Sequence, residues 1–221
     1  MRAERSYWEE FYAGPSCAVV PQEPSAFARW VADRATPGAT IVDVGTGTAR
    51  DALWFAADGR TAHGLDYARS AVDRARGLVT ESPRPATFDL LDLYDADAVA
   101  TSATALRDEP GVHDVYGRFL VHALEDTGRH NLWRFAGTVL ADGGLLFLEF
   151  RTGKDATEPH LFGEHFRVFL PPDEVVDELE RSGATVVWRE EGHGLATFGA
   201  EDPHVCRLAA SWSASVRPEG R

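Results

Sequence analysis

Residues 39–51, Ala-Thr-Ile-Val-Asp-Val-Gly-Thr-Gly-Thr-Ala-Arg-Asp, join an apolar β-branched run to a helical one through alternating glycines. Ala39 to Val42 reads as a buried strand behind a Pro37-Gly38 turn. Ala49 to Asp58 reads as a helix with Ala52, Leu53, Phe55 and Ala56 on its inner face. Glycines between a parallel strand and a helix let a ligand approach the backbone closely, near the helix N-terminus. The next apolar strand, Thr61 to Leu65, ends at Asp66. That acid follows the glycines by about 20 residues, the place of a carboxylate that accepts ribose hydroxyls. A nucleoside-containing ligand is the first expectation.

The loop itself narrows the nucleoside. A dinucleotide fingerprint started at Gly45 needs a small residue at position 50, where the chain has Arg50. A phosphate-binding P-loop needs a lysine that is not there. What the chain offers is an acid two places before the first glycine and then small residues in alternation: Asp43, Gly45, Gly47, Ala49. This resembles motif I of the class I S-adenosylmethionine-dependent methyltransferases, with Ala49, which takes little extra room, in place of the usual last glycine. The resemblance implies S-adenosylmethionine as cofactor and S-adenosylhomocysteine as product. It implies a loop of Gly45, Thr46 and Gly47 under the methionine part, and Asp43 facing the amino group. Asp66, followed by Tyr67, would take the ribose, Asp92 the adenine amino group, and Leu93 the adenine face. Asp89 is the rival to Asp92, which could equally be a helix cap.

Composition excludes several classes. At 221 residues and 44% hydrophobic, the chain is long enough for one α/β domain with a sizeable core. No apolar run approaches the roughly 18 residues of a membrane span, and the charged N-terminus leads into no signal-peptide core. Cys17 and Cys206 are too few and too isolated for a disulfide framework or a zinc site. The expectation is a cytoplasmic enzyme without a metal. A formal net charge of -13, with Lys154 the single lysine, argues against a nucleic-acid substrate and for a small molecule.

Beyond Asp66 the chain keeps alternating. Helical periodicity covers 70–80, a turn Ser82 to Pro85, and a strand 86–91. Helix 95–106, strand 112–120, helix 127–140, strand 145–148, helix 173–181, strand 184–188 and a last strand 205–211 follow. That alternation predicts right-handed crossovers and a mostly parallel, Rossmann-like sheet flanked by helices. The family resemblance adds that the last strand is antiparallel. It spans the whole chain as a single methyltransferase domain: a helical cap over 1–36, a core over 37–215 and a tail over 216–221.

Ligands of open α/β sheets lie outside the carboxyl ends of the strands, and there the polar residues concentrate. Arg118 and His122 in Tyr116 to Leu124 are four apart, on one face if the segment is helical. Arg151 follows the fifth strand, and Gly163-Glu164-His165-Phe166-Arg167 lies beyond it. Arginines converging there make an anion site, since guanidinium binds carboxylate bidentately; pairing of Arg118 and Arg151 with Glu125, Glu149 or Asp155 is the alternative. His122 is the candidate general base, with His165 as understudy and Arg118 beside them. Together these motifs resemble a bacterial methyltransferase subgroup of natural-product and surface-polysaccharide pathways. Tyr7, Trp8, Phe11 and Tyr12 form an amphipathic aromatic helix, which in the family closes over cofactor and substrate. Tyr7, Tyr12, Arg118, Arg151 and Arg167 are therefore the expected substrate contacts. The resulting expectation is O- or N-methylation of a small polar, anionic metabolite. A cofactor-binding relative without methyl transfer and an NAD-dependent oxidoreductase are the alternatives.

Overall fold

In a computed structural model, residues 2–79, 85–155 and 167–212 are described. Residues 82–84 of the turn expected over Ser82 to Pro85, His165 and the tail from Val216 lie outside them. Seven strands are present among these residues: β1 (Thr40–Val44), β2 (Ala62–Asp66), β3 (Ala86–Leu90), β4 (His113–Arg118), β5 (Leu146–Arg151), β6 (Thr185–Gly192) and β7 (Val205–Ser211). The helices are α1 (Arg2–Ala13), α2 (Ala26–Ala32), α3 (Arg50–Ala57), α4 (Arg69–Leu78), α5 (Ala96–Asp108), α6 (Asp126–Val139) and α7 (Pro172–Arg181). None of them is long and apolar enough to cross a membrane.

The strands form one sheet in the order β3-β2-β1-β4-β5-β7-β6. β1 to β5 pair in parallel, and β7 runs antiparallel between β5 and β6. The expected mixed, Rossmann-like architecture is therefore the observed one, with the antiparallel strand set one place in from the edge. Alternation along β1 divides the core. Val42 and Val44 pack with Val115, Leu146, Leu148 and the α5–α7 side chains Val99, Leu132 and Leu179. Ile41 faces the other way, toward Phe27, Ala52, Phe55, Val72, Tyr116 and Phe147. Each such buried aliphatic or aromatic side chain contributes roughly 1.5–3 kcal/mol.

The order of the strands reverses direction between β1 and β4, which opens a crevice above their carboxyl ends. Two residues there depart from ordinary backbone geometry. Ala49, which caps α3, has φ 61, and Phe119, just after β4, has φ 54. A non-glycine residue in this left-handed region costs roughly 1–2 kcal/mol. The replacement of the last motif glycine by Ala49 is thus a matter of backbone strain rather than of room.

The segment after β4 is not one helix. Arg118 is the last residue of the strand, whereas His122 sits in a 3₁₀ turn over Val121–Ala123. The shared helical face expected for this pair is replaced by two separate positions.

Candidate active site

The crevice holds a cavity of about 630 Å³, within the roughly 300–1,000 Å³ of small-molecule sites. Asp43, Gly45, Thr46, Gly47, Asp66, Tyr67, Asp92 and Leu93 all line it. So do Tyr7, Trp8, Phe11 and Tyr12 of α1, Arg118 at the end of β4 with Phe119 after it, and Leu195 to Phe198 before β7.

The glycine loop is folded back over the end of β2: the amides of Gly45 and Thr46 both donate to the Leu65 carbonyl, at 2.8 and 3.1 Å. Gly45 at φ +74 and Gly47 at φ +54 make this path possible. A Cβ on Gly47 would lie 2.6 Å from the Tyr12 hydroxyl, so α1 rests directly on the loop. The Asp66 carboxylate accepts from the Gly47 amide at 2.9 Å and from the Ala68 amide at 2.9 Å. It is buried, and burial raises its pKa to about 6 against the opposing backbone donors. Asp43 accepts from the Thr46 hydroxyl at 2.7 Å. Burial, with Asp51 and Asp66 adding to it, pushes Asp43 up to about 8. Two carboxylates close to protonation at neutral pH thus border one cavity, the pattern of a site that takes a polar or cationic ligand.

Neither the rival Asp89 nor the helix-cap role competes for Asp92. Asp89 pairs with Arg76 at 2.7 Å on the surface, and Asp95 caps α5 through the amides of Asp97 and Ala98. Asp92 accepts from the Tyr94 amide at 3.0 Å and faces the cavity. Glu9 fixes α1 by accepting from the Arg69 and Ser70 amides at the start of α4, at 2.7 and 3.1 Å.

The polar cluster differs from expectation. His122 is 3% exposed, is not among the cavity-lining residues, and its Nδ1 accepts from the Arg151 amide at 3.2 Å. In that placement His122 is held by the backbone of Arg151 rather than set among the described residues that line the cavity. Arg151 is not among the described cavity-lining residues and donates to Asp155 and Glu201, each at 2.7 Å. The expected anion-site role of Arg151 gives way to the structural pairing with Asp155. Removing one partner of such a buried network costs about 3–5 kcal/mol. Arg151→Ala is accordingly expected to lower the melting temperature sharply, and calorimetric unfolding checks this. Arg167 is half-buried near Tyr7 and Arg151 and does not line the cavity. Among the described residues no three His, Cys, Asp or Glu side chains converge as a metal site would.

Arg118 does face the cavity, with its Nε donating to Glu149 at 2.9 Å. Glu149 is shared, since its other oxygen accepts from Arg207 Nε at 2.8 Å. Arg118, Glu149 and Arg207 occupy paired register positions on β4, β5 and β7, a row of charges across the sheet. Arg50 and Asp51, at the start of α3, line the same end of the cavity. Asp51 accepts from the Ser25 amide and hydroxyl, at 2.7 and 2.8 Å, and from the Tyr116 hydroxyl at 2.7 Å. Sequence reasoning missed Arg50, Asp51 and Arg207. The signal for Arg207 was its position inside an otherwise apolar strand, Val-Cys-Arg-Leu-Ala-Ala, beside Glu149 inside another.

No protein-family model matches the chain, and no curated protein does either. Solved structures do. A SAM-dependent methyltransferase from Anabaena variabilis superposes with a TM-score of 0.70 at 16% identity, covering 94% of each chain. A structure described as the conversion of a disulfide bond into a thioacetal group during echinomycin biosynthesis gives 0.68 at 18%, covering 97% of this chain and 93% of that one. A glycopeptide N-methyltransferase complexed with S-adenosyl-L-methionine gives 0.62 at 18%, covering 87% and 88%. The fold is that of the class I methyltransferases.

Proposed function

We propose that this chain is an S-adenosylmethionine-dependent methyltransferase, acting on oxygen or nitrogen of a small polar metabolite with an anionic group. The observation that carries it is the cradle of Asp43, Gly45, Gly47 and Asp66 in one cavity, on the fold that its structural neighbours use for this cofactor. The residues present fit the cofactor. Glycines at 45 and 47 leave the loop without side chains, Asp66 stands ready for ribose hydroxyls, and Leu93 offers an apolar wall. The raised pKa of Asp43 suits a group that receives an ammonium.

When bound, the cofactor supplies an electrophilic methyl group on a sulfonium. The protein's task is then to hold the acceptor in line and exclude water. Tyr7, Trp8, Phe11 and Tyr12 of α1 cover the cavity, and Arg118 orients the acceptor from the β4 side. No histidine is among the described residues that line the cavity. Residues 37–215 act as the cofactor-binding core in this reading, with 1–36 as its cap.

Proton linkage tests the assignment of Asp43. With a pKa near 8, this carboxyl is largely protonated at pH 7 in the free protein. An ammonium beside it favours the ionised form, so binding at pH 7 releases protons. Calorimetry of S-adenosylhomocysteine in buffers of low and high ionisation enthalpy should return different apparent heats, and Asp43→Asn should abolish the difference. Equal heats in both buffers would count against Asp43 as the amine partner.

A further inference from the structure

We propose that Arg50 and Arg118 together form a binding site for a single carboxylate of the methyl acceptor, at the end of the cavity opposite Asp66. This inference rests on the methyltransferase reading and specifies its acceptor.

The first ground is the state of the two guanidiniums. Arg118 uses Nε on Glu149 and lies over the Phe119 ring at 4.2 Å, and its terminal nitrogens have no hydrogen-bond acceptor among the described residues. Arg50 makes only a 3.6 Å approach of Nε to Asp51, with no hydrogen bond among those residues. Both line the cavity, with side chains 22% and 12% exposed. Two guanidinium forks therefore open on the same space with donors to spare. A carboxylate matches that geometry in a way a neutral group does not.

The second ground is charge. Asp51 and Glu149 are the carboxylates that act on both Arg50 and Arg118. Glu149 is also committed to Arg207, and Asp51 to Ser25 and Tyr116. In the free protein, where Asp43 beside Arg118 is largely protonated, three guanidiniums thus face two ionised carboxylates at the inner end of the cavity, leaving one positive charge in excess. Burial, and then the neighbouring Arg118, hold Arg50 below its ordinary pKa, whereas against burial Glu149 and Asp51 hold Arg118 above its own, so the shortfall of negative charge lies at Arg50. A monoanion closes the balance, and a dianion overshoots it.

The third ground is position. The residues assigned to the cofactor end or follow β1, β2 and β3: 43–47, 66–67 and 92–93. Arg118 ends β4 and is tied by Glu149 to β5 and by Arg207 to β7, the other half of the sheet. Arg50 reaches toward that half from the start of α3. The acceptor lies there if the cofactor occupies the loops of β1 to β3.

The acceptor is probed with 4-fluorobenzoate and its uncharged counterpart 4-fluorobenzamide, followed by fluorine NMR on protein saturated with S-adenosylhomocysteine. Wild type should prefer the carboxylate by at least tenfold. Arg50→Gln and Arg118→Gln should each erase the preference while leaving S-adenosylhomocysteine affinity within about twofold. Arg50→Gln breaks no hydrogen bond among the described residues, so it keeps the test open if Arg118→Gln unfolds. Equal binding of the two probes to wild type would overturn the site, as would a preference that survives in folded Arg50→Gln. A tenfold loss of S-adenosylhomocysteine affinity in Arg50→Gln would overturn it differently, giving the arginines to the cofactor's own carboxylate. If wild type binds no S-adenosylhomocysteine, the same titration is run on the free protein. An arginine-dependent carboxylate preference there would uphold the anion site while the methyltransferase reading fails.

Discussion

Asp66→Ala should weaken S-adenosylhomocysteine binding by about 1.5–3 kcal/mol, roughly 10- to 150-fold, the loss of hydrogen bonds to a charged acceptor. The carboxylate does two things at once. It receives the Gly47 and Ala68 amides, which fixes the loop, and it faces the cavity as the acceptor for ribose hydroxyls. The alanine variant takes this acceptor from the Gly47 and Ala68 amides, so its melting temperature should fall together with its affinity. Asp66→Asn retains one carbonyl oxygen and should fall between. The pH dependence has a definite sign. The ionised carboxylate is the binding form and its pKa in the free protein is about 6, so a second loss of affinity should set in as pH falls through 6, after the one that protonation of Asp43 brings below 8. Titrations between pH 5 and 8 check this, and an unchanged affinity in a folded Asp66→Ala protein would contradict the assignment.

Gly47→Val should eliminate measurable nucleoside binding while leaving the protein folded. The position has φ +54, where a β-branched side chain costs of order 1–3 kcal/mol. Its Cβ would also approach the Tyr12 hydroxyl to 2.6 Å, inside contact distance. The Tyr12 side chain can swing aside, so the sheet survives. The valine then occupies the space between α1 and the loop, which is the path proposed for the cofactor. Calorimetric titration beside thermal unfolding separates a blocked site from a lost fold. Normal affinity in Gly47→Val would mean that the ligand does not lie against this loop.

The cofactor half of the site was legible because it is local. Asp43, Gly45 and Gly47 belong to one strand-loop-helix corner, and Asp66 lies at a fixed distance set by the βαβ unit. The sheet was legible for the same reason: apolar strands alternate with amphipathic helices over the whole core. The acceptor half is assembled from strands far apart in the chain. Arg118, Glu149 and Arg207 meet only because β7 inserts antiparallel beside β5, and their register is not written in any one segment. The helical spacing of Arg118 and His122 does not apply, because the first ends a strand and the second sits in a 3₁₀ turn. Arg50 was read as a residue that spoils a dinucleotide motif. Its charge becomes informative only when Arg118 is seen to share its cavity.

The most direct test of the central claim is a parallel calorimetric titration of the wild-type protein with S-adenosylmethionine, S-adenosylhomocysteine and NAD. The two sulfur nucleosides should bind at one site per chain, competing with each other, and NAD should give no binding heat. Binding of NAD with no response to either sulfur nucleoside would contradict the cofactor assignment and with it the proposed reaction.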